Sequence, residues 1–199
     1  MTGASDSRAR NGVRALFLCY FLYVGTQTPY LSLYLSHMGL SIAQIGLVMS
    51  LSPASRIIGP LSWGWLADRG SSRNLVQRAC TVLSLQALFA LVQAGGSVAW
   101  IMLACSVLFF ANSGQMPISE SIALEVAGRD AGRYSRMRVW GSIGFIVGVS
   151  ATGPLFDWTG ISSLPWWLAA MMAAVFACTW LLPSAPARPR GPPAAPLWN

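Results

Sequence analysis

The chain has 199 residues, 54% of them hydrophobic and only 10% charged. Soluble domains carry about 25% charged residues, so this composition excludes a soluble enzyme and a disordered tail protein. The net charge is +7, with thirteen basic residues against six acidic, and every basic residue is arginine. These arginines form short clusters between apolar runs, the pattern of an inner-membrane protein and not of a nucleic-acid binder.

In chain order, residues 1–14 read as a polar N-terminal segment. Residues 15–182 read as a bundle of six apolar spans of roughly 20 residues each. The spans are expected at 15–36, 41–67, 75–94, 97–126, 139–156 and 164–182. The first apolar run has no A-x-A exit, so it is expected to remain as an uncleaved span. Residues 183–199 are rich in proline and alanine, which predicts a non-helical tail. The four cysteines, Cys19, Cys80, Cys105 and Cys178, each lie inside an apolar run with no CxxC spacing. They read as small hydrophobes, which leaves no disulfide framework and no metal site.

Twelve arginines fall at the N-terminus, in the second and fourth connections, at the ends of the adjoining spans, or in the tail. The remaining connections, HMGL, GGS and DWTGISS, contain none. By the positive-inside rule this predicts a multi-pass inner-membrane protein with both termini cytoplasmic. Trp63, Trp65, Trp100, Trp140, Trp158, Trp166, Trp167 and Trp180 lie near span ends, as an interfacial aromatic belt would.

The thirteenth arginine, Arg56, falls within the second span. It lies about 15 Å from that span's cytoplasmic end at 1.5 Å per residue. A charge there costs several kcal/mol unless it faces a cavity or a partner. It is therefore an anion-binding group on a pathway or a structural cation paired with a neighbouring span. Pro53 and Pro60 flank it and are expected to loosen the helix.

The first span carries Tyr20, Tyr23, Gln27, Tyr30 and Tyr34 at spacings of three, four, three and four. At 100° per residue they share a face about 80° wide. Such a stripe suits a cavity for an aromatic or polyhydroxylated solute, or a packed interface with hydroxyl bonds across it. The fourth span has a broader polar face of Asn112, Gln115, Ser119 and Glu120, with Pro117 expected to interrupt the helix. Glu120 is the carboxylate placed within the membrane, where it can carry a proton or pair with Arg138. In the fifth span Gly144 and Gly148 form a GxxxG pair, a mechanical packing element. No nucleophile–base pair or phosphate loop appears, so no catalytic residue and no cofactor is expected.

The run GWLADRGSSR, Gly64 to Arg73, resembles the signature loop between the second and third spans of the major facilitator superfamily. The resemblance assigns Gly64, Asp68, Arg69 and Arg73 to a conformational loop, with Asp68 bracing one state of the transporter. The run RYSRMRVWGSIGFIVG, Arg133 to Gly148, and the first span resemble the phenylpropionate permease group. That group is similar to the lactose permease and the nucleoside–proton symporters. There an acid on the fourth span and an arginine opening the fifth both serve substrate binding. Glu120 and Arg138 match them with the same eighteen-residue separation.

The fold expected is therefore an all-α polytopic membrane protein, six helices arranged as two inverted three-helix repeats. The resemblance implies the N-terminal half of a twelve-span transporter. Its function would be secondary, proton-coupled symport of an aromatic acid, nucleoside or sugar, with no enzyme activity. Tyr23, Gln27, Tyr30, Arg56, Asn112, Gln115, Glu120 and Arg138 are the candidates for substrate binding or proton coupling. Its partners would be the solute, protons, the lipid bilayer, and a second half or a second copy. The alternative is a truncated or accessory membrane protein that does not transport.

Overall fold

The computed structural model of the protein describes residues 3–69, 72–128 and 130–182. The proline-rich tail, with Arg188 and Arg190, lies outside the described residues, as does Arg129. The described chain is all-α: α1 (Gly3–His37), α2 (Ile42–Asp68), α3 (Arg73–Val92), α4 (Val98–Ala127), α5 (Ala131–Thr159) and α6 (Leu164–Cys178), the last preceded by a single 3-10 turn, Ile161–Ser163.

The helix ends follow from local chemistry. Ser41 closes a capping box with Gln44, its hydroxyl accepting from the Gln44 amide at 3.3 Å. Ser72, Ser97 and Asp130 cap α3, α4 and α5 in the same way. Gly39, Gly128 and Gly160 take positive φ where the chain turns between helices. Capped by Asp130, α5 starts at Ala131, eight residues before the span expected at 139, so most of the polar run after α4 is helical. Likewise α1 begins at Gly3, well inside the segment read as a polar leader. Pro53, Pro60 and Pro117 lie within α2 and α4 without ending them. A proline in a spanning helix frees a carbonyl that neighbouring groups can satisfy, which leaves the helix in one piece.

Among the described residues, five segments are long and apolar enough to cross a membrane: α2, α3, α4, α5, and the 3-10 turn with α6. Several such segments in one chain are the mark of a multi-pass membrane protein. The first helix falls short by composition. Its tyrosines, threonines and Gln27 dilute its hydropathy.

Helices α1 and α4 form the centre, with α5 and α6 packed on α1, and α2 and α3 packed on α4. The tightest pairing is α1 with α5. A Cβ placed on Gly148 would stand 2.6 Å from the Leu22 carbonyl oxygen, and one on Gly144 would overlap the Leu18 carbonyl. The GxxxG pair thus brings two backbones together, as its spacing predicts. Gly25 completes the seam from the α1 side, against the Phe145 carbonyl. Between α2 and α4, Gly114 receives the Trp63 ring, whose Nε1 donates to the Phe110 carbonyl at 2.9 Å. Trp63 is therefore a buried packing residue and not part of an interfacial belt. Trp158, Trp166 and Trp180, by contrast, are exposed.

Candidate functional site

A cavity of about 470 Å³ opens between α1, α2, α4 and the start of α5. Tyr20, Phe21, Tyr23 and Gln27 line it from α1, and Ser52, Arg56 and Pro60 from α2. Phe109, Asn112, Ser113 and Met116 supply the α4 side, and Arg138 enters from α5. Five of the eight predicted binding residues thus meet in one place: Tyr23, Gln27, Arg56, Asn112 and Arg138.

Asn112 is the hub of the polar wall. Its Nδ2 donates to the Tyr23 hydroxyl at 2.7 Å and reaches Gln27 Oε1 at 3.5 Å. Its Oδ1 accepts from Ser84 Oγ and from Gln115 Nε2, both at 3.0 Å. The Tyr20 hydroxyl approaches the Asn112 carbonyl at 3.5 Å. Tyr23 is fully buried and Gln27 nearly so, which makes this network a rigid floor. Gln27 Nε2 and the Thr26 hydroxyl have no hydrogen-bond partner among the described residues.

The other predicted residues are placed elsewhere. Gln115 is fully buried behind the hub, facing Ser84 and Met172 on α3 and α6. Tyr30 sits lower on α1, edge-on to Phe156 with ring centroids 4.9 Å apart. Tyr34 is buried in the core. The tyrosine stripe is therefore divided: its first half lines the cavity and its second half packs. Glu120 stands outside the cavity lining, with Oε1 3.9 Å from Arg138 Nε, and both side chains keep partial exposure. The Arg138 guanidinium also lies 4.3 Å from the Phe21 ring centroid. It thus connects the carboxylate to the aromatic wall.

Arg56 is exposed along α2 and has no ion-pair partner among the described residues, so the reading of a structural cation paired with a neighbouring span finds no acid to support it. Asp68 is likewise exposed and unpaired there. Together with Gly64 and Arg73 it borders a smaller cleft of about 120 Å³ between α2 and α4. Arg73 pairs with Glu125 at 2.8 Å, tying the start of α3 to the end of α4. Arg69 stacks on Trp65, 3.9 Å from the ring centroid. Gly70 and Ser71 of the signature run lie outside the described residues.

One polar stripe escaped the sequence reading. Asn74, Gln77, Thr81 and Ser84 follow spacings of three, four and three on α3, and all are buried. The spacing repeats that of the first span and could have been found by the same test. Ser84 joins this stripe to the Asn112 hub.

Comparison with known proteins places the chain. The sequence profile described as the MFS_1 like family matches residues 13–190. Maltose permease of Geobacillus stearothermophilus is 36% identical over 143 residues, covering 71% of this chain and 36% of the permease. The probable 3-phenylpropionic acid transporter of Escherichia coli (strain K12) is 31% identical over 153 residues, covering 74% of this chain and 40% of that protein. The chain thus spans well under half the length of these curated relatives. A crystal structure of the nucleoside transporter NupG superposes with a TM-score of 0.81 at 23% identity, over 90% of this chain and 45% of that one, which shows a shared fold. The chain belongs to the MFS_1 like family, and its helices have the arrangement of a major facilitator transporter over about half of that transporter's length.

Proposed function

We propose that this chain forms the N-terminal half of a secondary active transporter that carries a small aromatic acid by alternating access, coupled to protons. In this reading all six helices span the membrane and the arginine-rich ends, with both termini, are cytoplasmic. Two inverted repeats are supported by the packing pattern: α1 packs on α5 and α6 as α4 packs on α2 and α3.

The observation that carries the reading is the cavity of about 470 Å³, with two guanidiniums beside a wall of phenol and phenyl rings. A guanidinium with no acid partner at this depth in a span calls for an anion, and a substrate carboxylate supplies one. Arg56 would hold that carboxylate. Tyr20, Phe21 and Phe109 would contact the ring, and Asn112 and Gln27 would orient it. The relative named for 3-phenylpropionic acid is consistent with this chemistry. Sugars and nucleosides would use the same hydroxyls and amides but have no need of Arg56. Glu120 would exchange the proton, released or held as Arg138 turns between it and the substrate. A second six-span half, or a second copy, would close the cavity. The loop of Gly64, Asp68, Arg69 and Arg73 would move as the halves rock.

Uptake by cells expressing the chain joined to a complementary half tests this. Labelled 3-phenylpropionate should accumulate, and uridine and maltose should not. Glu120→Gln should abolish proton-driven accumulation, with Glu120→Asp milder. Arg138→Lys should fail as well, because a point charge does not replace a planar fork. Unchanged accumulation in a variant with both Glu120 and Arg138 neutralised would reduce the pair to a strut and overturn its coupling role. Unchanged uptake in Arg56→Gln would remove the carboxylate assignment.

A further inference from the structure

A second cavity, of about 280 Å³, lies at the arginine-rich end of the α1–α5 seam, apart from the solute site. It is lined by Arg10 and Arg14 of α1 and by Arg133, Arg136 and Met137 of α5. Two carboxylates serve these four guanidiniums. Asp6 pairs with Arg10 and stands 3.8 Å from Arg133, while Asp130 stands 3.2 Å from Arg133 and 3.8 Å from Arg136. That leaves an excess of two positive charges around one small space. Arg14 has no carboxylate partner among the described residues. Its Nη1 donates to Asn11 Oδ1 at 3.2 Å, and its Nε is buried with no partner among the described residues. Arg14 also lines the cavity, and with no acid to neutralise it an oxyanion there would balance its charge.

We propose that this cavity is a binding site for a phosphate-bearing anion, filled by the headgroup of an anionic phospholipid. The phosphate oxygens accept from Arg14 and from the guanidinium edges of Arg10 and Arg136 that the carboxylates leave free. What favours a lipid over free phosphate is the surface immediately below. Arg136, Val139, Trp140 and Ile143 share a face of α5 about 100° wide, and Val139, Trp140 and Ile143 are all exposed. An anchored headgroup would lay its acyl chains along that strip. A basic pocket opening onto an apolar helix face is the arrangement that recognises acidic headgroups at a membrane surface. The site bridges α1 and α5, so occupancy would clamp the seam one turn from Arg138.

Thermal melts and native mass spectrometry of the detergent-solubilised full chain test this, with three probes: short-chain phosphatidylglycerol, phosphatidylcholine of the same chain length, and inorganic phosphate. Phosphatidylglycerol should bind saturably and raise the melting temperature, and phosphatidylcholine should do neither. The double variant Arg14→Gln, Arg136→Gln should weaken phosphatidylglycerol binding at least tenfold, while Arg69→Gln, at a distant arginine, should leave it unchanged. If inorganic phosphate reproduces the whole shift, and the double variant abolishes it, the anion site stands and the lipid assignment falls. Equal binding of both lipids, or binding indifferent to the double variant, overturns the site. Should the double variant fail to fold, a photoactivatable phosphatidylglycerol on the unaltered chain decides: labelling of the peptides holding residues 10–14 and 133–137 supports the site, and labelling only elsewhere overturns it.

Discussion

Helices α1 and α5 on one side and α2 on another border the same cavity, yet their surroundings differ. Along the seam, Gly25, Gly144 and Gly148 bring two backbones into contact, with no room for a methyl group. On α2, only Val48, Gly59 and Trp63 of 27 residues are buried, and Gly46 and Gly64 have nothing within 4 Å of where a Cβ would stand. Packing is the main force between helices in a bilayer, because lipid is as apolar as leucine. The seam is therefore closed along its length, while α2 is held to α4 at Gly59 and Trp63 and largely exposed elsewhere. The cavity draws Tyr23 from the seam helix α1, Asn112 from α4, and Arg56 from the exposed part of α2.

The largest expected effect tests the seam. Gly148→Leu pushes a side chain into the Leu22 carbonyl and should cost about 3 kcal/mol or more, read as loss of folded protein in thermal melts. Little change in stability would mean that α1 and α5 are not tightly apposed. Asn112→Leu comes next. It strands the Tyr23 hydroxyl and the Ser84 and Gln115 donors. Stranded buried groups cost about 1–3 kcal/mol each in water, but interhelical bonds in membranes average about 0.6 kcal/mol. We expect a loss of roughly 1–2 kcal/mol on that basis, with Asn112→Asp milder. Arg56→Gln should shift stability by less than about 0.5 kcal/mol, because no partner is lost, while solute binding fails. A large drop in its melting temperature would place Arg56 in the structural class with Asn112. Smallest of all, Gly46→Ala on α2 should be neutral or stabilising by about 0.5–1 kcal/mol, since the new methyl meets nothing. Destabilisation there would mean that α2 is more closely covered than its exposure implies.

Two of the ion pairs join helices α3, α4 and α5 only weakly. Arg73–Glu125 is short but partly exposed, worth at most about 1 kcal/mol. Arg138–Glu120 is looser still, at 3.9 Å. Neither is strong enough to hold the bundle, which leaves both free to exchange partners.

Much of the fold was legible in the sequence because its signals are local. Apolar runs, serine caps and turn glycines act within a few residues, and the second, third and fourth spans appear within about two residues of their predicted bounds. The GxxxG pair in α5 was likewise readable, since small residues at that spacing have one use in a membrane helix. What failed locally failed for physical reasons. Polar composition hid the helical run from 131 to 138, and the prolines of α2 and α4 did not interrupt their helices.

The site divided along the same line. Periodicity alone determined that α1 has a polar face and that α4 has another. Which residues of those faces line a cavity was decided only by the tertiary structure. Tyr23 and Tyr30 are equivalent by spacing, but one is bonded to Asn112 and the other rests on Phe156. Gln115 and Asn112 are one turn apart, yet one faces α3 and α6 while the other turns to the cavity. A helix face is read from 3.6-residue periodicity, but what stands opposite it depends on where other helices cross. Those crossings are set by glycine contacts between segments more than a hundred residues apart in the chain, such as Leu22 and Gly148.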